Sequence, residues 1–492
     1  MTELNDMNDA EALKVAIESE RWFDAVQLGE SLLQEREVSP ETLKFLARAN
    51  INIGNQASAL LLLQSLHEMK PDDVQILIAL TRAQVALGDA ENALKNFSSI
   101  TPETPSVPRK EYHRIRLEIG DLMLRLNRLD ELNGMLDEWR SQKMKGPRIA
   151  NLRFKLMQAR GNLEKAEEGF TSLTKATNIA DGLKLQAYFD LSKVLDRLGR
   201  YDEAFEAARQ ANEHPAAVAC HFDRHAYKHE TDRIIRFFTT ERFEQMQRGG
   251  EYDQSPVFII GMPRSGTTLT EQVISAHPDG AGIGEQREPI IASRMVAHLT
   301  GESFPECLEV ASPRLLSDMG ERYLRMSRRL SNNAKRVTNK ALGLERSVGF
   351  IQAMLPGSRI IFVRRNPLDT LLSVYLHPLQ ARTYPWSRSI DDIIFVRKEF
   401  DRLNEHWMKT SSLPMFELGY ENFTRTQAET TGRILDFLDL PPSEECLHFH
   451  ESKRYVRTPS YDQVNKPLNQ NAIERWRNYE KHLGPAIEAF GA

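Results

Sequence analysis

The sequence has 492 residues, of which 41 % are hydrophobic and 27 % charged, with a formal net charge of -5. That is enough apolar material for two or three cores. The acidic balance argues against a protein whose main task is to coat nucleic acid. No apolar run approaches the ~18–20 residues of a membrane helix, so no membrane association is expected. The N-terminus, "MTELNDMNDAEALK", is acidic and lacks the apolar core of a signal peptide. Cys220, Cys307 and Cys446 are scattered and form no C-x-x-C. These features predict no disulfide framework and a reducing, cytoplasmic setting.

Residues 1–215 carry a recurring G-x-x-x-x-A pattern: Gly54/Ala59, Gly88/Ala93, Gly161/Ala166 and Gly199/Ala204. Glu20/Ala25 fits with the glycine replaced, and Asn127/Leu132 fits weakly. The steps from position 20 to position 199 are 34, 34, 39, 34 and 38 residues. Such a period predicts one helix pair per repeat. The glycine takes the left-handed turn between the helices, and the alanine lets the second helix pack closely on the first. Pro71 and Pro105, each 17 residues after a glycine, are expected to end second helices. The pattern resembles the tetratricopeptide repeat in about six degenerate copies. The resemblance implies a solenoid able to hold an extended peptide, or one that braces its neighbour or dimerises.

Residues 216–254 read as a helical connector. His221, His225 and His229 are four apart, on one face of a helix, but no carboxylate completes a recognisable ligand set, so no metal site is assigned.

From residue 255 the rhythm changes. Short β-branched runs, "PVFIIG", "SRIIFVRR" and "MFELGYEN", alternate with helical patterns. This predicts a parallel sheet with helices on its faces, and ligands at the carboxyl ends of its strands beside helix N-termini. Residues 255–492 carry 30 Lys/Arg against 28 Asp/Glu, whereas the remainder carries 34 against 41. The second half is therefore the expected home of an anionic ligand.

Two clusters there have the chemistry for one. In "VFIIGMPRSGTTLTEQ", Gly261 and Gly266 sit five apart, as in a phosphate-binding loop. Gly261 is expected to allow the sharp turn and Gly266 to let backbone N–H groups approach an anion. Arg264, Ser265, Thr267 and Thr268 add charged and hydroxyl donors. Thr267 stands where a nucleotide triphosphatase places lysine, and no strand-end magnesium carboxylate is apparent. The loop thus suits a phosphate with little chain beyond it. The second cluster is "IIFVRRNPLDTLLSVYLH". Arg365 follows the strand, Asn366 and Pro367 make an N-cap and first helical residue, and Ser373 lies eight residues after Arg365. Arginine and serine at a helix start can grip a second phosphate.

"GMPRSGTTL" with the Arg365/Ser373 pair resembles the two nucleotide signatures of the sulfotransferases. The resemblance implies 3′-phosphoadenosine 5′-phosphosulfate (PAPS) as sulfuryl donor, with no required metal. It is strongest to the tyrosylprotein sulfotransferases and spans about 255–480. It implies an all-α tetratricopeptide-repeat solenoid (1–215) and connector (216–254), followed by an α/β parallel-sheet, P-loop-like sulfotransferase domain (255–492). An ungapped count from Arg264 puts Glu285 on the family's catalytic base and Arg287 on an acceptor-contacting arginine. Anchoring on Gly284 would instead put Gln286 at the base position, and Glu288 is a further candidate. "NKALGL" puts Lys340 on the lysine that assists the leaving group, and "LGYENF" puts Tyr420 near the adenine. "TPSYDQVNKPLNQNAIERW" puts Ser460 near the reacting sulfuryl and Arg475 on the nucleotide. His377 stands where the family has another arginine. Neither the family's secretory anchor nor its disulfides are expected here. Repeats ahead of such a domain are, by resemblance, a bacterial arrangement, and a homodimer is compatible with the family.

Together these readings predict an enzyme that moves a sulfuryl group to an acceptor hydroxyl, a peptide tyrosine being favoured, with the acceptor held by the repeats. The alternatives are a glycan or small-molecule acceptor, a repeat scaffold carrying an inactive nucleotide-binding domain, and a kinase or triphosphatase on the same loop. The missing lysine and magnesium ligand speak against the last.

Overall fold

The computed structural model describes residues 9–35, 39–246, 252–451 and 468–491. Its first part is six antiparallel helix pairs: α1 (Asp9–Glu18) with α2 (Trp22–Glu35), α3 (Pro40–Ile53) with α4 (Gln56–Met69), α5 (Val74–Leu87) with α6 (Ala90–Ser98), α7 (Arg109–Arg125) with α8 (Leu129–Ser141), α9 (Pro147–Ala159) with α10 (Leu163–Lys175), and α11 (Asp181–Arg197) with α12 (Tyr201–Asn212). The six turn positions named from the repeat all have positive φ. They are Glu20 (56°), Gly54 (87°), Gly88 (88°), Asn127 (55°), Gly161 (82°) and Gly199 (75°). Glutamate and asparagine thus adopt a left-handed turn that costs a non-glycine residue about 1–3 kcal/mol. The partner positions Ala25, Ala59, Ala93, Leu132, Ala166 and Ala204 are all fully buried. The small side chain at five of them permits the close helix approach. Pro71 lies just past the end of α4. Pro105 does not end α6, which already stops at Ser98 and is followed by irregular chain.

Three short helices follow: α13 (Pro215–Val218), α14 (Arg224–Phe237) and α15 (Thr240–Gln245). His225 and His229 are on α14, but Asp223 caps it, so His221 lies outside and the three histidines do not share one helix. All three are exposed.

The second part contains a five-stranded, wholly parallel sheet. Its strands are β1 (Pro256–Gly261), β2 (Gly280–Gly282), β3 (Arg336–Asn339), β4 (Arg359–Arg364) and β5 (Met415–Gly419), in the order β2-β3-β1-β4-β5. β1 lies at the centre and every residue in it is buried, as a strand covered on both faces requires. The helices that position the site are α16 (Thr267–Ser275), α17 (Glu288–Thr300), α19 (Pro313–Ser331), α21 (Pro367–Tyr375) and α22 (Ile390–Thr410); α18 (Cys307–Val310) and α20 (Val348–Met354) complete this run. The chain order changes direction on either side of β1, so β1 and its neighbours form the switch point where open parallel sheets bind ligands.

The first two and last two helix pairs share one continuous core with the sheet region, from Leu13 and Ala25 through Phe170 and Phe205 to Ile260 and Phe362. The middle pairs have a core of their own, built on Phe97, Ile119 and Trp139. The repeats therefore grip the sheet domain at their two ends. At one end His298 on α17 pairs with Asp24 at 2.6 Å, and Arg322 on α19 pairs with Glu30 at 2.7 Å. At the other, the Phe205 ring stacks on Tyr375 at 5.1 Å and on His482 at 4.3 Å. Among the described residues, no helix is long and apolar enough to cross a membrane.

Candidate active site

The first anion cluster is a tight loop between β1 and α16. Arg264 (φ 69°) and Gly266 (φ 108°) both take left-handed backbone, which turns the chain so that α16 opens at Thr267. A Cβ on Gly266 would come within 2.5 Å of the Tyr420 ring. Gly261 is needed for a different reason from the one inferred from sequence. It is not among the positive-φ residues, but a Cβ there would lie 2.4 Å from Ser265 Oγ and 3.1 Å from the Val363 carbonyl. Space, not backbone conformation, fixes that glycine.

The second cluster follows β4. Asn366 caps α21 by accepting from the N–H groups of Leu368 and Asp369, with Pro367 next in the chain. The two clusters meet. Arg264 Nε donates to Ser373 Oγ at 3.1 Å, and Arg365 Nη1 donates to the Arg264 carbonyl at 2.8 Å. The Arg365 guanidinium lies 4.7 Å from the centre of the Tyr420 ring, whose edge also approaches Gly266. Two helix N-termini, two arginines and an aromatic face are thus brought together at the carboxyl ends of β1 and β4. Ser265 Oγ, Arg365 Nε and Thr370 Oγ1 are buried there without a hydrogen-bond partner. Buried polar atoms are rarely left so, and phosphate oxygens would satisfy them. The residues present therefore fit a phosphate-bearing nucleotide.

His377 is half-buried beside this cluster, and its Nδ1 donates to the Ser373 carbonyl at 2.7 Å. Burial and then the nearby Arg264 charge hold its pKa well below the ordinary value, so the ring is neutral. It does not replace the charge of the arginine that the family resemblance places here.

The third group is built on the chain between β2 and α17. Glu271 on α16 accepts from Gly284 N at 2.9 Å, and Ile283 N donates to the Thr338 carbonyl at 2.8 Å. Asn339, at the end of β3, donates to the Gln286 carbonyl at 2.9 Å. This frame turns Glu285 outward and Gln286 inward, where the Gln286 amide donates to Ile283 O. Lys340 follows β3 and is buried, and its Nζ donates to Glu285 Oε1 at 2.8 Å. Of the three candidates, Glu285 alone reaches Lys340. Glu288 is buried and accepts from Arg322 Nε at 2.5 Å and from Asn55 Nδ2, in the repeats, at 2.6 Å. Arg287 is exposed at the start of α17, and its charge is felt by Tyr384. Burial and then Glu285 push the Tyr384 phenol up to about 12.

Ser460 lies outside the described residues. Arg475 begins a 3-10 stretch, Arg475–His482, and its Nη2 donates to Asp196 Oδ1 of α11 at 2.5 Å. Sequence reasoning missed Asp196, Tyr384 and Asp369. The Asp369 carboxylate accepts from Glu474 N at 2.8 Å and Trp476 N at 3.0 Å, tying the C-terminal segment across the second cluster. An aspartate two residues into a helix after an N-cap carries no signal of a partner 107 residues away.

A profile of the sulfotransferase family matches residues 256–445. A protein of Aquifex aeolicus is 32 % identical over 313 residues, which cover 62 % of this chain and 41 % of that protein. The protein-tyrosine sulfotransferase of Drosophila melanogaster is 23 % identical over 261 residues, 50 % of this chain and 51 % of the fly protein. The chain thus spans about half or less of the length of these two relatives. Among solved structures, the sulfotransferase domain of the Synechococcus PCC 7002 olefin synthase is 17 % identical, covers 47 % of this chain and 91 % of that domain, and superposes with a TM-score of 0.36. Residues 256–445 thus match a sulfotransferase-family model, and they follow a region of helix pairs with the turn spacing of tetratricopeptide repeats.

Proposed function

We propose that this protein transfers the sulfuryl group of PAPS to an acceptor hydroxyl, favouring the phenol of a tyrosine in a peptide or protein. The observation that carries this reading is the contact of Arg264 with Ser373 and Arg365, which joins two helix starts, one suited to a 5′-phosphosulfate and one to a 3′-phosphate. Arg264, Ser265, Gly266, Thr267 and Thr268 would hold the former, and Arg365, Ser373 and Arg475 the latter. Tyr420 offers the adenine a ring face. No residue in this assignment requires a metal ion.

In the reaction, an acceptor oxygen attacks sulfur in line with the departing phosphate. Glu285 takes the acceptor proton, a contribution of typically ~10²–10⁴-fold. The new S–O bond forms as the bond to the bridging phosphate oxygen breaks, leaving adenosine 3′,5′-bisphosphate. Lys340 and Arg264 stabilise the charge that grows on that oxygen, in a site where Lys340 is already dry. The family resemblance assigns Ser460, outside the described residues, to the reacting sulfuryl. Arg287 would contact the acceptor.

The resemblance to protein-tyrosine sulfotransferases supports a tyrosine acceptor. The repeats touch the domain close to both the nucleotide cluster and Glu288, which supports a role in presenting a peptide. The test is transfer of radiolabelled sulfuryl from PAPS to acidic tyrosine peptides, with glycans in parallel and Glu285→Ala as control. Labelled peptide from the native chain only is the expected result. Labelling of glycans and no peptide would overturn the acceptor assignment, and no transfer to any acceptor would favour the scaffold.

A further inference from the structure

The nucleotide cluster is not closed by the sulfotransferase-family domain alone. Arg475 reaches it from the C-terminal segment. Arg365 Nη2 donates to the Ala472 carbonyl at 2.5 Å, and Asp369 accepts from the backbone on either side of Arg475. Arg475 is close enough for its charge, with that of Arg264, to act on the half-buried His377. These contacts fix the backbone around Arg475 but not its guanidinium. The guanidinium is half-buried and its carboxylate partner is Asp196, on the last pair of the repeat region and 279 residues away. The same Oδ1 accepts from the Tyr479 hydroxyl at 2.5 Å.

We propose that Asp196 is a positioning residue for the nucleotide: by holding Arg475 at Nη2, the repeat region completes the donor site. This rests on the PAPS reading above. A planar guanidinium held at one nitrogen keeps its remaining N–H groups in one direction. Arg475, Arg264 and Lys193 all act on His377 with the same sign, so Asp196 also supplies a counter-charge within that group. The aspartate thus offsets repulsion among cations gathered for an anion. A purely structural tie would act differently, and the same helix pair supplies one for comparison: Asp202 on α12 binds Lys481 and His482, farther along the segment.

The experiment uses the full chain. Adenosine 3′,5′-bisphosphate is titrated calorimetrically into the native protein and into Asp196→Asn, Asp196→Glu, Tyr479→Phe and Asp202→Asn, and donor and acceptor KM are measured for each. Losing one charge-assisted contact to the arginine is expected to weaken nucleotide binding and raise the donor KM about 10-fold in Asp196→Asn. The acceptor KM and the kcat at saturating donor should stay within about twofold. Asp196→Glu should recover part of the affinity. Tyr479→Phe and Asp202→Asn should bind as the native chain does. Native affinity in Asp196→Asn, or equal losses in Asp196→Asn and Asp202→Asn, would overturn the proposal. Absence of binding to the native protein would overturn the PAPS reading and this inference with it.

Discussion

Lys340 Nζ donates to Glu285 Oε1 at 2.8 Å across 55 residues of chain, and only the lysine is buried: its side chain is 2 % exposed against 45 % for the glutamate. A buried ammonium needs a counter-charge, and here it has one at the mouth of the site. The carboxylate is left facing solvent, where an acceptor would arrive.

That asymmetry separates the two roles. Glu285→Gln keeps the shape and removes the base. It should lower kcat by about 10²–10⁴-fold and leave adenosine 3′,5′-bisphosphate binding nearly unchanged. Lys340→Ala should also lower kcat severely. Turnover within threefold of native in Glu285→Gln, at saturating substrates, would remove Glu285 from the mechanism.

Gly266 tests the loop. A Cβ there meets the Tyr420 ring at 2.5 Å on a backbone already at φ 108°. Gly266→Ala should therefore abolish measurable nucleotide binding, since the loop and the ring cannot both keep their places. Tyr420→Ala removes the clash but also the ring, and should recover folding more than affinity. Native-like binding by Gly266→Ala, measured calorimetrically, would mean that the loop does not hold the ligand.

Glu288 stands three residues from Glu285 yet belongs to a different device. With Arg322, Glu30 and Asn55 it forms a buried ion cluster between the first repeats and the sheet domain. Glu288→Ala leaves Arg322 buried with one counter-charge fewer, and such losses cost about 3–5 kcal/mol. The melting temperature should fall by several degrees, with kcat retained in the folded fraction. A lost kcat at unchanged stability would make Glu288 the base instead.

His377 gives a pH signature. Its folded pKa lies well below the ordinary value because of burial and Arg264. The unfolded chain takes up a proton on this ring as the pH falls through about 6.5, and the folded chain does not. His377 therefore favours folding above that pH and loses this contribution as the solution becomes more acid. Melting curves between pH 7.5 and 5 should show a smaller fall for His377→Gln than for the native protein. Parallel falls would show that the ring is protonated in both states.

The local parts of this design were written in the chain. The step of 34 to 39 residues located the left-handed turns even where glutamate and asparagine replace glycine, because each helix pair demands a turn whatever residue supplies it. Asn366 and Pro367 announced α21 for the same reason: a cap acts within three residues. Pairings across the fold were not legible. Nothing near Asp196 marks it as the partner of Arg475, and nothing near Asp369 marks it as the frame for the C-terminal segment. Pro105 misled because α6 had already ended, and His221 because the cap at Asp223 starts the helix after it. The reading of Gly261 failed because its requirement comes from Ser265 and Val363 in space, not from its own φ.

The proposed donor site takes a nucleotide bearing separate 3′- and 5′-phosphates without a metal ion. Calorimetric titration of adenosine 3′,5′-bisphosphate in EDTA tests it most directly, with ATP as control and Arg264→Ala and Arg365→Ala as variants. The expected result is tight binding by the native chain, much weaker binding of ATP, and a loss of at least about 10-fold in each variant. No binding in EDTA, or binding of ATP that appears only with magnesium, would contradict it.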